Sequence, residues 1–324
     1  MKLAIDAMSG DHGSKIVVEA CLTFVKKSPN IELFVVGKLD ELKALEKIPQ
    51  ITLVEANEVL TMEENVMAIR RKKDSSMVKC MMLARKGEVD GVVSCGNTGA
   101  FYASAMLFVK RIEGVEKSCL MANMPTFNGK GVLMLDVGAN SSSTAKQLTS
   151  FAVMANVYAQ NVLGIQKPKV ALLNIGSEEH KGDEMHLETH HLLKEMDNIH
   201  FIGNIEGKEV VSGQADIIVT DGFTGNVCMK TLEGVASGLM KAIKNSLMAT
   251  LKGKIGGLLI KSSLGNLKHQ FSADTAGGAL LIGFEKPIVK AHGASGAVAF
   301  ENAMHLTANM IEKNVVEKIK AGLN

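Results

Sequence analysis

A chain of 324 residues with 46% hydrophobic and 22% charged side chains is long enough to bury a sizeable core and too apolar for disorder. Lys and Arg total 36 against 34 Asp and Glu, a net charge of +2, with 11 Phe, 2 Tyr and no Trp, so neither a basic field nor a stacking platform recommends nucleic acid as a partner. Five cysteines with no C-x-x-C pair predict free thiols in a reducing cytoplasm. The start, Met1 to Asp6, meets an acid before a signal-peptide core develops, and no apolar run reaches membrane-span length.

In chain order, short runs rich in Val, Ile and Leu predict strands at 3–6, 33–37, 51–55, 91–95, 131–137, 170–175, 201–205, 217–220 and 288–290. Helix-like stretches fall at 15–28, 76–86, 98–111, 145–163, 184–196, 224–250 and 297–320. This alternation predicts parallel βαβ units in one three-layer α/β/α sandwich, Rossmann-like, spanning 1–324 as a single domain. Residues 241–268 break the pattern, with lysines at 241, 244, 252, 254, 261 and 268 and no acid. Within a projection at about 231–270, they read as two helices joined at a glycine-rich tip (Gly253, Gly256, Gly257). The projection packs on a dimer partner, or meets an anionic membrane surface or acidic protein.

Polar residues gather where strands end. Asp6 leads into Gly10-Asp11-His12-Gly13, and strand 91–95 into Gly96-Asn97-Thr98-Gly99. Asp136 leads to Gly138 and Asn140, Asn174 to Gly176, Lys181 and Gly182, and Gly203 to Asn204 and Gly207. Asp221-Gly222-Phe223-Thr224-Gly225-Asn226 and Ala291-His292-Gly293 complete the set. One such turn is ordinary capping chemistry. Seven of them meeting along one sheet edge predict a site for a phosphate-like ligand, because open α/β sheets bind ligands at strand carboxyl ends and helix starts attract anions.

Other signatures fail. No G-x-G-x-x-G follows a strand, and Gly203 to Lys208 is one residue short of a P-loop, with Glu209 following. No G-x-S-x-G elbow exists, and Cys95 reads as a buried, inert thiol. His186 and His190 are four apart without the H-E-x-x-H order, so they read as a solvated helix face with no metal. Arg70-Arg71-Lys72-Lys73 is either a solvated face or a dock for an acidic partner or phosphate.

Together these turns resemble the bacterial phosphate acyltransferase family. The resemblance rests on Asp6-Ala7-Met8 with Gly10-Asp11, Gly96-Asn97-Thr98-Gly99-Ala100, Leu135 to Asn140, Leu173 to Gly176 with Lys181-Gly182, and Gly203 to Gly207. Asp221-Gly222-Phe223 with Gly225-Asn226, Lys230, Glu233-Gly234 and His292-Gly293 continue it, and Thr275-Ala276-Gly277-Gly278-Ala279 supplies a further glycine turn. Ser9, Ser14 and Cys95 depart from the family, which usually has Gly, Pro and Ala there; Cys95 therefore has no family-wide catalytic role.

The resemblance implies a fold related to phosphate acetyltransferases and isocitrate-dehydrogenase-like proteins, a homodimer, and no cofactor or metal. It implies transfer of a long-chain acyl group from acyl carrier protein to inorganic phosphate, giving an acyl phosphate that a membrane glycerol-3-phosphate acyltransferase consumes. That places the protein in the cytoplasm, peripherally associated with the membrane. Direct attack on a thioester needs positioning and oxyanion stabilisation, not a covalent enzyme intermediate. The expected catalytic residues are Lys181 as the cation, Asn226 as a donor, Asp221 orienting either one, and His292 protonating the thiolate, with His12 the alternative proton donor. Asp6, Asp11, His12, Asn97, Thr98, Asp136, Asn140, Asn174, Gly176, Gly182, Asn204, Gly222 and Gly225 are the expected substrate- or phosphate-binding positions. The alternatives are a phosphotransacetylase acting on acyl-coenzyme A and a non-catalytic lipid-synthesis scaffold at the membrane.

Overall fold

The computed structural model describes residues 1–64, 66–271 and 278–323; Thr275, Ala276 and Gly277 of the glycine stretch lie outside the described residues. The first half runs β1 (Lys2–Asp6), α1 (Ser14–Lys27), β2 (Glu32–Gly37), β3 (Ile51–Glu55), α2 (Ala68–Arg71), α3 (Ser76–Arg85), β4 (Gly91–Ser94), α4 (Thr98–Phe108), β5 (Cys119–Met124), β6 (Val132–Leu135) and α5 (Ala145–Tyr158). The second runs β7 (Lys169–Asn174), α6 (Glu184–Glu195), β8 (His200–Glu206), β9 (Ile217–Val219), α7 (Gly222–Met248), α8 (Leu251–Leu259), α9 (Lys261–Gln270), β10 (Ala279–Ile282), β11 (Ile288–Lys290), α10 (Ala297–Glu312) and α11 (Val315–Leu323).

One sheet carries the strands in the order β3-β2-β1-β4-β11-β10-β5-β6-β9-β7-β8. Its interior strands are buried on both faces, which is why they read as continuous apolar runs such as Val132-Leu133-Met134-Leu135. Leu3 and Ile5 of β1 join the core around Phe24, Phe151 and Phe300, beneath α1, α5, α6, α10 and α11. Ala4 faces the opposite way, into the core of Met77, Phe101 and Met134 beneath α3, α4 and α7.

The sheet is mixed, not uniformly parallel. β11 pairs antiparallel with β10, β10 with β5, and β5 with β6. Three reversals are an odd number, so β6, β9, β7 and β8 point opposite to β1, β4 and β11. The carboxyl ends of these two groups therefore lie at opposite margins of the sheet. This corrects the expectation that all seven turns meet along one edge, and the cause is the unpredicted strands β5 and β10. The central strands are short, so the margins are separated by only about 13 Å at the middle of the sheet.

Two helical expectations also change. Residues 297–320 form α10 and α11, broken at Asn314, whose φ of 50° leaves the helical region. In the projection, Gly253, Gly256 and Gly257 lie inside α8 and do not form a tip. The break falls before α8, where the Thr250 hydroxyl accepts from Gly253 N–H and starts a new helix. α8 folds back on α7, and a Cβ at Gly253 would strike the Leu247 carbonyl. α9 then returns to the sheet, where Gln270 Nε2 donates to the Thr126 carbonyl (2.9 Å). Among the described residues, no helix is long and apolar enough to cross a membrane.

Candidate active site

At the first margin, the turns after β1, β4 and β11 are knitted to one another. Asp6 is fully buried; its carboxylate accepts from Ser76 Oγ and Ser94 Oγ, both at 2.6 Å, and from the Met8 and Ser9 amides. Those contacts make Asp6 the pin of this margin, because both oxygens are engaged by protein donors. Asp11 N–H donates to the Gly293 carbonyl (2.9 Å), and Cys95 Sγ donates to the Ser9 carbonyl (2.8 Å). Burial pushes the Cys95 thiol up to about 12, which leaves it protonated and unreactive at neutral pH.

Asn97 caps α4 by accepting from Ala100 N–H (2.9 Å) and donates to the Met62 carbonyl (2.6 Å); Thr98 begins the helix behind it. His12 and His292 are exposed, and His292 Nδ1 accepts from Ala294 N–H (3.2 Å), leaving Nε2 turned outward.

The second margin has a comparable pin. Asp136, also fully buried, accepts from the amides of Leu120, Gly138, Ala139 and Asn140 and from the Asn140 side chain, at 2.8 to 3.1 Å. Burial raises its carboxyl above the ordinary range, and the donors from Ala139, Leu120 and Asn140 oppose that rise. Asn140 Nδ2 also donates to the Ser118 carbonyl, and its Oδ1 accepts from Tyr102 of α4 (3.1 Å).

The first turn of α7 lies against this pinned turn. A Cβ at Gly222 would strike the Asn140 carbonyl, and one at Gly225 the Asp136 carbonyl, so only glycine permits the approach. Asp221 caps the helix, accepting from Phe223 and Thr224 N–H at 3.0 Å. That contact engages Oδ1 and fixes the start of α7. Asn226 is exposed beside Gly138, and its amide has no hydrogen-bond partner among the described residues.

The Lys181 turn is held from both sides. Asn174 Nδ2 donates to the Lys181 carbonyl (3.0 Å), and Asn204 Nδ2 donates to the Glu178 carbonyl (2.8 Å). Gly182, at φ +96°, reverses the chain into α6. The Lys181 stem and the Glu178 carboxylate both lie over Gly176, and the Lys181 ammonium makes no ion pair within 4.0 Å among the described residues. Ile175, just after β7, and Phe223, in the first turn of α7 beyond the neighbouring β9, are 82% and 67% exposed and give this margin an apolar lip.

The histidines correct their expectation too. His190 is buried against Phe201 and pairs with Asn204 (3.0 Å), while His186 bonds Asp183 (2.7 Å), so this face packs on β8 and is not solvated. Among the described residues, no three His, Cys, Asp or Glu side chains are placed to hold a metal ion.

One charged residue escaped the sequence reading. Lys290 ends β11, in register with Ser94 on one side and Ala279 on the other. It is only 8% exposed, and burial pushes its ammonium down to about 8. A lysine closing an apolar strand gives no signal by type or spacing; its place at the reversal of the sheet does.

A mixed sheet covered on both faces and reversed at its centre is the fold of the phosphotransacetylases. A Streptococcus pyogenes phosphotransacetylase matches with a TM-score of 0.62 at 19% identity, covering 96% of this chain and 94% of that one. An Enterococcus faecalis branched-chain phosphotransacylase matches with a TM-score of 0.62 at 13% identity, over 96% and 99%. At such identities the likeness is one of fold. The sequence profile described as "Fatty acid synthesis protein" matches residues 1–318. A phosphate acyltransferase of an Exiguobacterium species is 45% identical over 99% of this chain and 98% of the relative. One from Lysinibacillus sphaericus is 42% identical over 98% and 97%. The chain belongs to the phosphate acyltransferase family and is an acyltransferase of lipid synthesis.

Proposed function

We propose that the protein transfers a long-chain acyl group from acyl carrier protein to inorganic phosphate, and that the second margin carries the chemistry. The observation that supports this most is that Lys181 and Asn226, whose side chains have no polar partner among the described residues, share a margin with the exposed apolar lip of Ile175 and Phe223. A phosphate oxygen attacks the thioester carbonyl carbon; the C–O bond forms, the C–S bond breaks, and the thiolate leaves and takes up a proton. Phosphate is already anionic at neutral pH, so alignment beside the carbonyl and stabilisation of the oxyanion are the main requirements. Lys181 and Asn226 supply positive charge and an N–H donor without reorganising a competing partner. From the first margin, exposed His292, or His12, serves the leaving thiol, a modest task for so good a leaving group.

Arg70, Arg71 and Lys73 are exposed and suit an acidic carrier, whereas Lys72 is engaged by Glu64 at 2.7 Å. The projection presents Val235, Leu239, Leu251, Ile255, Leu258 and Leu259 to solvent among its lysines. That combination supports a homodimer contact along α7 and peripheral attachment to an anionic membrane, where a membrane glycerol-3-phosphate acyltransferase takes up the product.

Trapping the product with hydroxylamine tests the reading. Acyl hydroxamate should form only when protein, phosphate and acyl carrier protein donor are all present. No signal above the phosphate-free control would contradict the assigned acceptor. Equal kcat/KM with acyl-coenzyme A would contradict the assigned donor and favour a phosphotransacetylase-type reaction.

A further inference from the structure

Lys290 is the charged group whose placement the functional reading has not used. It lies at the carboxyl end of β11, immediately before the strand order reverses. Alternation along β11 places it with Ile288, on the face covered by α4 and α7. Across the sheet at its level stand Ala279 and then Ala122, two small side chains on the same face, so the floor beside the lysine is low. α4 covers β11 and α7 covers β5 and β6, one on each side of that floor.

The Lys290 ammonium donates to the Ala291 carbonyl (3.0 Å), which leaves two N–H groups without a hydrogen-bond partner among the described residues. No carboxylate lies within ion-pair distance of it among the described residues. Among the described residues, the charged or titratable groups that act on it are Asp11 from the turn after β1, Cys95 just after β4, and Lys230 from α7. Asp11 favours the lysine's charge and Lys230 opposes it; Lys230, paired with Glu233 at 2.7 Å, stands one helical turn beyond Asn226 on the same flank of α7. A buried cation with no counter-ion at ion-pair distance among the described residues is costly to keep. It is retained where an anion is to be received.

We propose that Lys290 binds the phosphate nucleophile at the floor of the crevice between α4 and α7, with Lys230 and Asn226 approaching from α7. This rests on phosphate being the acyl acceptor, and it adds a residue of the first half of the sheet to a site otherwise built by the second. Lys290 then sets phosphate affinity, while the acyl donor is held elsewhere.

Steady-state kinetics of Lys290→Met and Lys290→Gln, with phosphate and acyl donor varied separately, test the assignment. KM for phosphate should rise at least about tenfold, and KM for the acyl donor should stay within about twofold, for loss of one charge-assisted contact to a single substrate. Both variants should melt no lower than the wild type, because a neutral side chain relieves a buried charge with no ion-pair partner among the described residues. An unchanged phosphate KM, an equal rise in both KM values, or failure of both variants to fold would each overturn the proposal. A wild-type protein with no phosphate-dependent turnover would instead overturn the acceptor assignment beneath it.

Discussion

The two margins of the sheet are built alike and serve differently. Each is pinned by a fully buried aspartate just where a strand ends, Asp6 after the body of β1 and Asp136 after β6. At the first margin Asp6 is held by two serines, Asn97 by a helix start and a loop carbonyl, and Cys95 by the Ser9 carbonyl, while among the described residues Ser9 Oγ has no partner and Lys290 keeps two N–H groups open. At the second, equally complete networks around Asp136, Asn174 and Asn204 leave Lys181 and Asn226 without a side-chain partner among the described residues. Similar pins therefore frame two different openings. At the first margin the open donor is a buried lysine on the floor of the crevice, and at the second the open groups are the half-buried Lys181 and the exposed Asn226 on the rim.

The largest effect that would break or sharpen this contrast belongs to Lys181. Lys181→Met should lower kcat for acyl phosphate formation by roughly 100-fold or more while the circular dichroism and melting curve stay unchanged, as for loss of a charge that acts in the transition state. An active, folded Lys181→Met protein would make the second margin a scaffold. Asp6→Ala should do the reverse. Losing the acceptor of two buried hydroxyls should cost about 3 kcal/mol in denaturant unfolding, with kcat of the folded protein changed only a few-fold. A stable Asp6→Ala protein without activity would move the chemistry to the first margin.

Much of this was legible in the sequence, for identifiable reasons. Turn residues announce themselves, because Gly, Asn and Asp at strand ends have few other uses; the Lys181 and Asn226 turns were found that way. The parallel strands were found because burial on both faces makes them uniformly apolar. β5 was missed because Cys119-Leu-Met-Ala-Asn-Met mixes poor strand formers without alternation, and β10 because four apolar residues after glycines carry no period. Those omissions hid the reversal of the sheet and, with it, the separation of the turns onto two margins. His190 was misread because its helix face packs on Phe201 of β8, a contact between elements that helical spacing cannot report.

The reversal also brings Lys290 and Asn226, from oppositely directed halves, toward one crevice. That convergence is the central claim, and a double-mutant cycle on kcat/KM for phosphate tests it most directly. Lys290→Met, Asn226→Ala and their combination should show a coupling energy of about 1 kcal/mol or more, because both side chains would act on one bound phosphate. Additivity within about 0.3 kcal/mol would mean that the two halves act separately, and would contradict a shared site.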